Sequence, residues 1–135
     1  MESISSFIIA NSTILFKMFF ISCGYLFTFF FTDFLINILI TKGKNFDADG
    51  NGLINEKDKK IIHDGYIIGK CENIIILSFI LVGEVTSLAL IFAAKSLARQ
   101  KDINDNAGYF LAGTMVNFTA TLIIAYLLKF ALTII

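Results

Sequence analysis

Long apolar runs, separated by two polar stretches, dominate the pattern of this chain. Three of the runs reach the length of about 20 apolar residues that an α-helix needs to cross a bilayer. They lie within Met18–Ile40, from about Asn73 to Ala94 and from about Tyr109 to Leu132. The alternative, buried helices of a soluble α-protein, would leave too little polar surface to cover three such runs. The pattern therefore predicts an all-α integral membrane protein with about three transmembrane helices in one domain, residues 1–135.

The segment before the first run, Ile4–Phe16, is apolar but too short to span a bilayer alone. It either extends the first helix or forms a separate helix at the membrane interface, with Lys17 reaching toward the head groups. The chain begins with MESISSFII, which has no positive n-region and is followed by no clean cleavage site. We therefore expect this segment to be part of the mature protein.

The composition favours a bilayer as partner and argues against nucleic acid. Hydrophobic residues make up 56% of the 135 residues, and the mean hydropathy is +0.77. Both values lie above those of an ordinary soluble domain. Eleven basic and eleven acidic side chains cancel, so no net field attracts a polyanion. Cys23 and Cys71 stand in no metal-binding spacing and are interpreted as small apolar fillers.

The first polar stretch contains the segment NFDADGNGLINEKD, residues 45–58, which resembles an EF-hand loop. Such a loop offers oxygen ligands at positions 1, 3, 5, 7, 9 and 12 and turns sharply at a glycine in position 6. Gly52 falls at position 6, where the backbone conformation is closed to most side chains. The predicted ligands of a Ca²⁺ ion are Asp47, Asp49, Asn51, the carbonyl of Leu53, Asn55 and Asp58.

Two departures from the usual EF-hand qualify this prediction. Asp58 at position 12 is one methylene shorter than the usual Glu, which predicts weak Ca²⁺ binding with Mg²⁺ as a competitor. The motif also occurs once, so Ile54 at position 8 must pack on the membrane helices or on a second copy of the chain. The alternative to a metal site is a polar turn, which needs two or three such residues but not the whole register.

The distribution of basic residues predicts which side of the membrane the loop faces. Six lysines lie in the first connection, and Lys95, Arg99 and Lys101 lie in the second. With three spans, Lys129 joins the side of the first connection and Lys17 the other side, which gives seven basic residues against four. By the positive-inside rule the acidic loop then faces the cytoplasm.

Polar residues within the predicted spans form a second group of candidates. Asp33, Glu84 and Asn117 lie inside the first, second and third runs, respectively. Ionisable groups at that depth are costly and face a protein interior or a wet cavity. These side chains either line an ion or proton path or make hydrogen bonds between helices. Small residues four apart, as at Ala89 and Ala93, permit close helix approach and favour a homo-oligomer.

From Gly69 onward the chain resembles the C-terminal half of an uncharacterised family of small bacterial membrane proteins, known only as a domain of unknown function. The resemblance rests on three short motifs, which fall on Gly69, Lys70 and Glu72; on Ala93, Ala94, Lys95, Ser96 and Arg99; and on Tyr109, Gly113 and Thr114. Asn73 and Gly108 stand where the family has Arg and Glu. The resemblance implies a multi-pass protein of the bacterial inner membrane and lends it no activity.

No set of catalytic residues is evident in the chain, which has a single histidine. We therefore predict a non-enzymatic, oligomeric membrane protein whose juxtamembrane loop binds Ca²⁺, for structure or as a switch. One alternative is an ion channel or transport subunit in which Glu84 and Asp33 line a path. Another is a membrane anchor or effector subunit of a larger bacterial assembly, such as a defence system, with a soluble protein partner.

Overall fold

The computed structural model of the chain describes residues 2–41, 47–98, 100 and 107–135. All regular secondary structure in this part is helical, so the all-α prediction is confirmed. The elements are α1 (Glu2–Ile36), which continues as a π-helical turn (Asn37–Thr41), α2 (Glu56–Val82), α3 (Val85–Ala98) and α4 (Ala107–Ile134). Three of the helices, those containing Asn11–Ile40, Glu56–Val82 and Ala107–Ile134, are long and apolar enough to cross a membrane.

The first helix is a single continuous element. It runs for 35 residues without a break, so Ile4–Phe16 extends the first span and does not form a separate interfacial helix. Several of its hydroxyl groups, those of Ser22, Thr28 and Thr32, donate to carbonyls of their own helix, with Thr28 Oγ1 lying 2.8 Å from the Gly24 carbonyl. Satisfying polar groups internally in this way is what a lipid environment requires.

The second predicted span, Asn73–Ala94, is not one helix, and that prediction is wrong. The helix α2 ends at Gly83, which has a φ of 99° in the left-handed region. The amides of Gly83 and Glu84 both donate to the Phe79 carbonyl, at 2.9 and 2.8 Å. This pattern closes a helix end. In its place, α2 begins much earlier, at Glu56, and α3 follows as a separate helix of 14 residues.

Hydrogen bonds between helices define their directions. Tyr25 and Ser78 join α1 to α2 through their hydroxyls at 2.7 Å, and together with an Asn73–Thr32 bond they make these helices antiparallel. Bonds from Thr121 to Asn73 and from Lys129 to the Ile80 carbonyl make α4 parallel to α2. The ion pair of Lys95 with Glu72 shows that α3 turns back along α2 toward the end that carries the acidic loop.

This arrangement changes the predicted topology. The helix α3 runs back toward the loop end, and α4 begins at that end. As a result, α4 and α2 run in the same direction. The N-terminal part of α1 and the C-terminal end of α4 therefore lie at one end of the bundle, opposite the loop. The three crossings predicted from the sequence, an odd number, would have placed the two ends of the chain at opposite ends of the bundle.

The core is small and lies in the half of the bundle away from the loop. It contains Ile76, Leu77 and Ile80 of α2, Leu88 of α3, and Ala125 and Leu128 of α4. The first helix approaches this core at Gly24, where an added Cβ would lie 2.5 Å from Leu128 Cδ2. Most large apolar side chains on the outside, such as Phe30 and Leu127, are exposed. That distribution is the one expected for a bundle covered by lipid.

Candidate metal loop and intramembrane polar cluster

The acidic loop is folded around the side chain of Asp47. Gly50 and Gly52 have φ values of 74° and 82°, a conformation in which glycine has no steric penalty. As a result their amides turn inward and donate to the two oxygens of Asp47, at 2.8 Å from Gly50 and 2.7 Å from Gly52. The glycines thus bring the Asp47 carboxylate to the centre of the loop.

The next two polar side chains are held by the same kind of local bond. The Asn51 amide donates to Asp49 Oδ1 at 3.2 Å, and the Leu53 amide donates to Asn51 Oδ1 at 2.8 Å. Side chains that bond to the backbone two residues ahead are a common way of tightening a turn. Here they fix alternate positions of the loop, 47, 49 and 51, in one compact turn.

The loop ends in a helix cap that also clamps its beginning. Asn55 Oδ1 accepts the amide of Lys57 at 2.8 Å, and Asp58 Oδ2 accepts the amide of Asn55 at 2.8 Å, which is a capping box. The other oxygen of Asp58 accepts the amides of Ala48 and Asp49, at 2.9 and 3.2 Å. Asp58 is only 1% exposed. One buried carboxylate therefore ties the start of the loop to the start of α2.

Three of the six predicted ligands converge. One carboxylate oxygen from each of Asp47, Asp49 and Asp58 lies within 4.8 Å of the others. Oxygens that bind a Ca²⁺ ion at about 2.3–2.6 Å can be at most about 5 Å apart, so the spacing of the three carboxylates is compatible with a shared ion.

The remaining predicted ligands have other local roles. Asn55 caps α2, and its Nδ2 donates to the Leu53 carbonyl at 3.2 Å. Asn51 Oδ1 accepts the Leu53 amide. Residues 45 and 46 of the predicted loop lie outside the described residues.

A lysine partly neutralises the cluster. Lys57 Nζ lies 2.9 Å from Asp49 Oδ2, and its side chain is 67% exposed. Hydrogen bonding to this ammonium is the main cause that lowers the pKa of Asp49 below its ordinary value of 3.8, with the Asn51 amide adding to the effect. The side chain of Asp49 is only 6% exposed, so a divalent cation that binds this carboxylate has to compete with Lys57.

Two ion pairs join neighbouring helices, one between α1 and α2 and one between α2 and α3. Lys70 Nζ lies 2.6 Å from Asp33 Oδ2 and also donates to the Phe29 carbonyl at 2.5 Å. Lys95 of α3 pairs with Glu72 of α2. The fold of α3 back along α2 makes this pair a contact within one chain.

A hydrogen-bonded layer adjoins the ion pairs. Asn73 is 1% exposed; its Nδ2 donates to Thr32 Oγ1 at 2.9 Å, and its Oδ1 lies 2.8 Å from Thr121 Oγ1. Asn117, also buried, directs its Nδ2 toward Glu72 Oε2 at 3.3 Å and the Gly69 carbonyl at 3.4 Å. Thr121 is the fifteenth of the 28 residues of α4, so the layer lies near mid-helix.

Of the predicted intramembrane residues, Asp33 and Asn117 belong to this cluster and Glu84 does not. Glu84 is exposed and lies between α2 and α3, beside the glycine that ends α2. Within the described part of one chain, Asp33 and Glu84 therefore do not line a common cavity. The sequence reading missed Lys70, Glu72 and Asn73 as members, because it placed the start of the second span at Asn73. The capping signal at Asn55 and Asp58 would have revealed the earlier start.

A cavity of about 430 Å³ adjoins the cluster, between α1, α2 and α4. One part of its wall is polar and includes Asp33, Glu72, Lys95 and Asn117. Another part is apolar and includes Ile40, Ile62 and Phe110. The cavity therefore joins charged groups at membrane depth to an apolar space on the loop side.

Comparison of the chain with models of protein families, with curated proteins and with solved structures finds no match.

Proposed function

We propose that this is a non-enzymatic, multi-pass membrane protein whose loop Asp47–Asp58 binds a divalent cation, Ca²⁺ in the first place and Mg²⁺ in competition. The observation that carries the proposal is the convergence of the carboxylates of Asp47, Asp49 and Asp58 within 4.8 Å. Three like charges at such distances repel one another, and a bound cation removes that repulsion.

The expected affinity for Ca²⁺ depends on the hydrogen bonds that the position-12 carboxylate, Asp58, already makes. Both oxygens of Asp58 already accept backbone amides, and its short side chain limits how far it reaches toward an ion. We therefore place the dissociation constant for Ca²⁺ at the weak end of the EF-hand range, about 10⁻⁴ to 10⁻³ M.

The position of the loop supports a structural or switching role. The helix that leaves the loop is α2 itself, which runs unbroken from Glu56 to Val82. An ion shared by Asp47, Asp49 and Asp58 adds a further link between the first turn of α2 and the loop, and its release leaves only the hydrogen bonds of Asp58 to hold them together. Binding outside the bilayer thereby acts on a helix that is long enough to cross it.

The exposed apolar side chains of the loop support a homo-oligomer. Leu53 is 71% exposed and Ile54 is 57% exposed, so the described helices of its own chain leave most of Ile54 uncovered. EF-hand loops normally cover this apolar position with a second loop, and here only a second copy supplies one. We also propose that the protein is bacterial and that it belongs to the family which the motifs within Gly69–Thr114 resemble.

The basic residues support a cytoplasmic loop. Among the described residues, Lys57, Lys59 and Lys60 lie at the loop end of α2. Lys129 donates to the Ile80 carbonyl near the end of α2, and Lys17 precedes Gly24, which packs beside Leu128. Both of these lysines therefore lie toward the opposite end, and the three lysines at the start of α2 outnumber them on the loop side.

Titration of the purified protein with Ca²⁺ tests the proposal. We expect saturable binding of one ion per chain, which Asp47→Asn weakens at least about tenfold because a carboxylate ligand is lost. Asp64→Asn is the matched control, since Asp64 is an exposed acid on α2 outside the cluster. Equal binding by the parent protein and Asp47→Asn would refute the metal site.

A further inference from the structure

We propose that the cavity between α1, α2 and α4 binds a small amphipathic molecule of zero net charge, with its polar head at Glu72 and Lys95 and its apolar body toward the loop side. This proposal does not depend on Ca²⁺ binding by the loop. It rests on the size of the cavity, on the glycines that open it, on the charges that line it and on the division of its wall.

The size and lining of the cavity suit a small organic molecule. A volume of about 430 Å³ lies within the range of about 300–1,000 Å³ that is typical of ligand sites. Such sites combine mostly apolar walls with a few convergent polar groups. Here Ile40, Ile62 and Phe110 supply apolar wall, and Glu72 and Lys95 supply the polar groups.

Glycines on the wall hold the cavity open. Gly65 and Gly69 stand one turn apart on α2 and both line the cavity. A Cβ added at Gly65 would meet nothing within 4 Å, and one at Gly69 would meet only the Asn117 amide, at 3.7 Å. Gly24 is different, because there the added atom would lie 2.5 Å from Leu128. Close helix packing therefore explains Gly24 but not Gly65, which borders open space although glycine weakens a helix.

The charges of the cavity favour a ligand without net charge. Asp33 is paired with Lys70, and Glu72 is paired with Lys95, so the four charges cancel. A cation or an anion bound beside them would be an unpaired charge in a medium of low dielectric constant, which is strongly unfavourable. A zwitterionic or neutral head avoids this cost.

The pair of Glu72 and Lys95 can accept such a head. Both residues line the cavity. Glu72 Oε1 is buried and touches the Lys95 ammonium, yet among the described residues it accepts no hydrogen bond of regular geometry. A ligand ammonium or N–H can donate to this oxygen, and a ligand carboxylate or phosphate can pair with Lys95. An apolar amino acid and the head group of a zwitterionic lipid share this chemistry.

A matched series of ligands tests the expectation that the bound molecule has no net charge. Three compounds carry the same phenyl body: L-phenylalanine as the zwitterion, phenethylamine as the cation and 3-phenylpropionate as the anion. Their binding to the full-length protein in detergent is measured calorimetrically, and phosphatidylethanolamine retained by the protein is measured by native mass spectrometry. We expect L-phenylalanine or phosphatidylethanolamine to bind, and each charged analogue to bind at least tenfold more weakly than L-phenylalanine if that is the ligand.

A cavity-filling variant locates the binding. Gly65→Leu places a side chain in the open space and also favours the helix, so we expect a folded protein with at least tenfold weaker binding. Cys71→Leu is the control, because Cys71 is exposed on the same helix and does not line the cavity. Size-exclusion profiles check that both variants fold. Preferred binding of either charged analogue, no binding of any probe, or equal binding by Gly65→Leu would overturn the proposal.

Discussion

At the scale of single residues, Lys57 decides how readily the loop accepts a cation. Its ammonium lies 2.9 Å from Asp49 Oδ2, so it competes with a metal ion for this carboxylate. It also lowers the pKa of Asp49. These two effects act on metal binding in opposite directions, because the first competes with the ion and the second keeps the ligand ionised.

The variant Lys57→Met separates these effects. At pH 7 Asp49 is ionised with or without Lys57, so only the competition is lost and we expect Ca²⁺ to bind several-fold more tightly. Lys59→Met is the control, because Lys59 pairs with Glu56 and not with the cluster. Calorimetric titration of both variants is the measurement, and weaker binding by Lys57→Met would contradict the role assigned to Lys57.

The pH dependence of the loop follows from the same pair. A carboxylate whose pKa is lowered in the folded protein contributes stability that is present above the unfolded pKa and is lost as the pH falls through the folded value. For Asp49 that loss lies below pH 3.8. In Lys57→Met the main cause of lowering is absent, so Asp49 takes up its proton at higher pH, and Ca²⁺ binding should decline sooner on acidification.

At the scale of helices, Asn73 links three elements through one side chain. It bonds to Thr32 of α1 and Thr121 of α4 near the middle of α2. Each threonine also has a backbone partner in its own helix, at Thr28 O and Asn117 O. The two hydroxyls therefore do not become unsatisfied when the amide is removed.

For Asn73→Leu we accordingly expect a moderate loss of stability, about 0.6–2 kcal/mol, as is typical of hydrogen bonds between membrane helices. Unfolding by a denaturing detergent, followed by circular dichroism, provides the measurement. Ser78→Ala, which removes one bond between α1 and α2 at the edge of the core, serves for comparison. A loss of unfolding free energy above about 4 kcal/mol would show that hydrogen bonds to carbonyls of their own helices do not satisfy the two threonine hydroxyls.

The helices also show what hydropathy can and cannot reveal. The first and last spans were predicted from length and composition, because both are uninterrupted apolar runs. The second span was predicted incorrectly, because hydropathy averaged over a window does not detect Gly83, whose left-handed backbone ends α2. The polar first turns of α2 hid its start, although Asn55 and Asp58 have the spacing of a helix cap.

The two candidate sites differ in how far the sequence predicts them. The register of the acidic loop identified Asp47, Asp49 and Asp58, because the spacing within one short loop determines which side chains meet. The intramembrane cluster joins residues that are far apart in the chain, such as Asn73 and Thr32, 41 positions apart, and Thr121 and Asn73, 48 positions apart. Without knowledge of helix directions, no sequence pattern pairs Lys70 with Asp33 or Lys95 with Glu72.

At the scale of the whole molecule, the return of α3 along α2 predicts that both ends of the chain lie on one side of the membrane, opposite the loop. This can be tested with single cysteines, after Cys23 and Cys71 are replaced by serine. A membrane-impermeant thiol reagent applied to oriented vesicles should label Ile135→Cys and an N-terminal cysteine from the same side. Leu53→Cys, exposed in the loop, should react only from the other side. Labelling of the two ends from opposite sides would contradict the topology.

Anomalous diffraction from crystals grown with millimolar Ca²⁺ tests the central claim most directly. The account predicts one anomalous peak among the carboxylates of Asp47, Asp49 and Asp58, at about 2.3–2.6 Å from an oxygen of each. Crystals of Asp47→Asn should lack it. A well-ordered loop with no peak between these three carboxylates would contradict the assignment of this segment as a metal site.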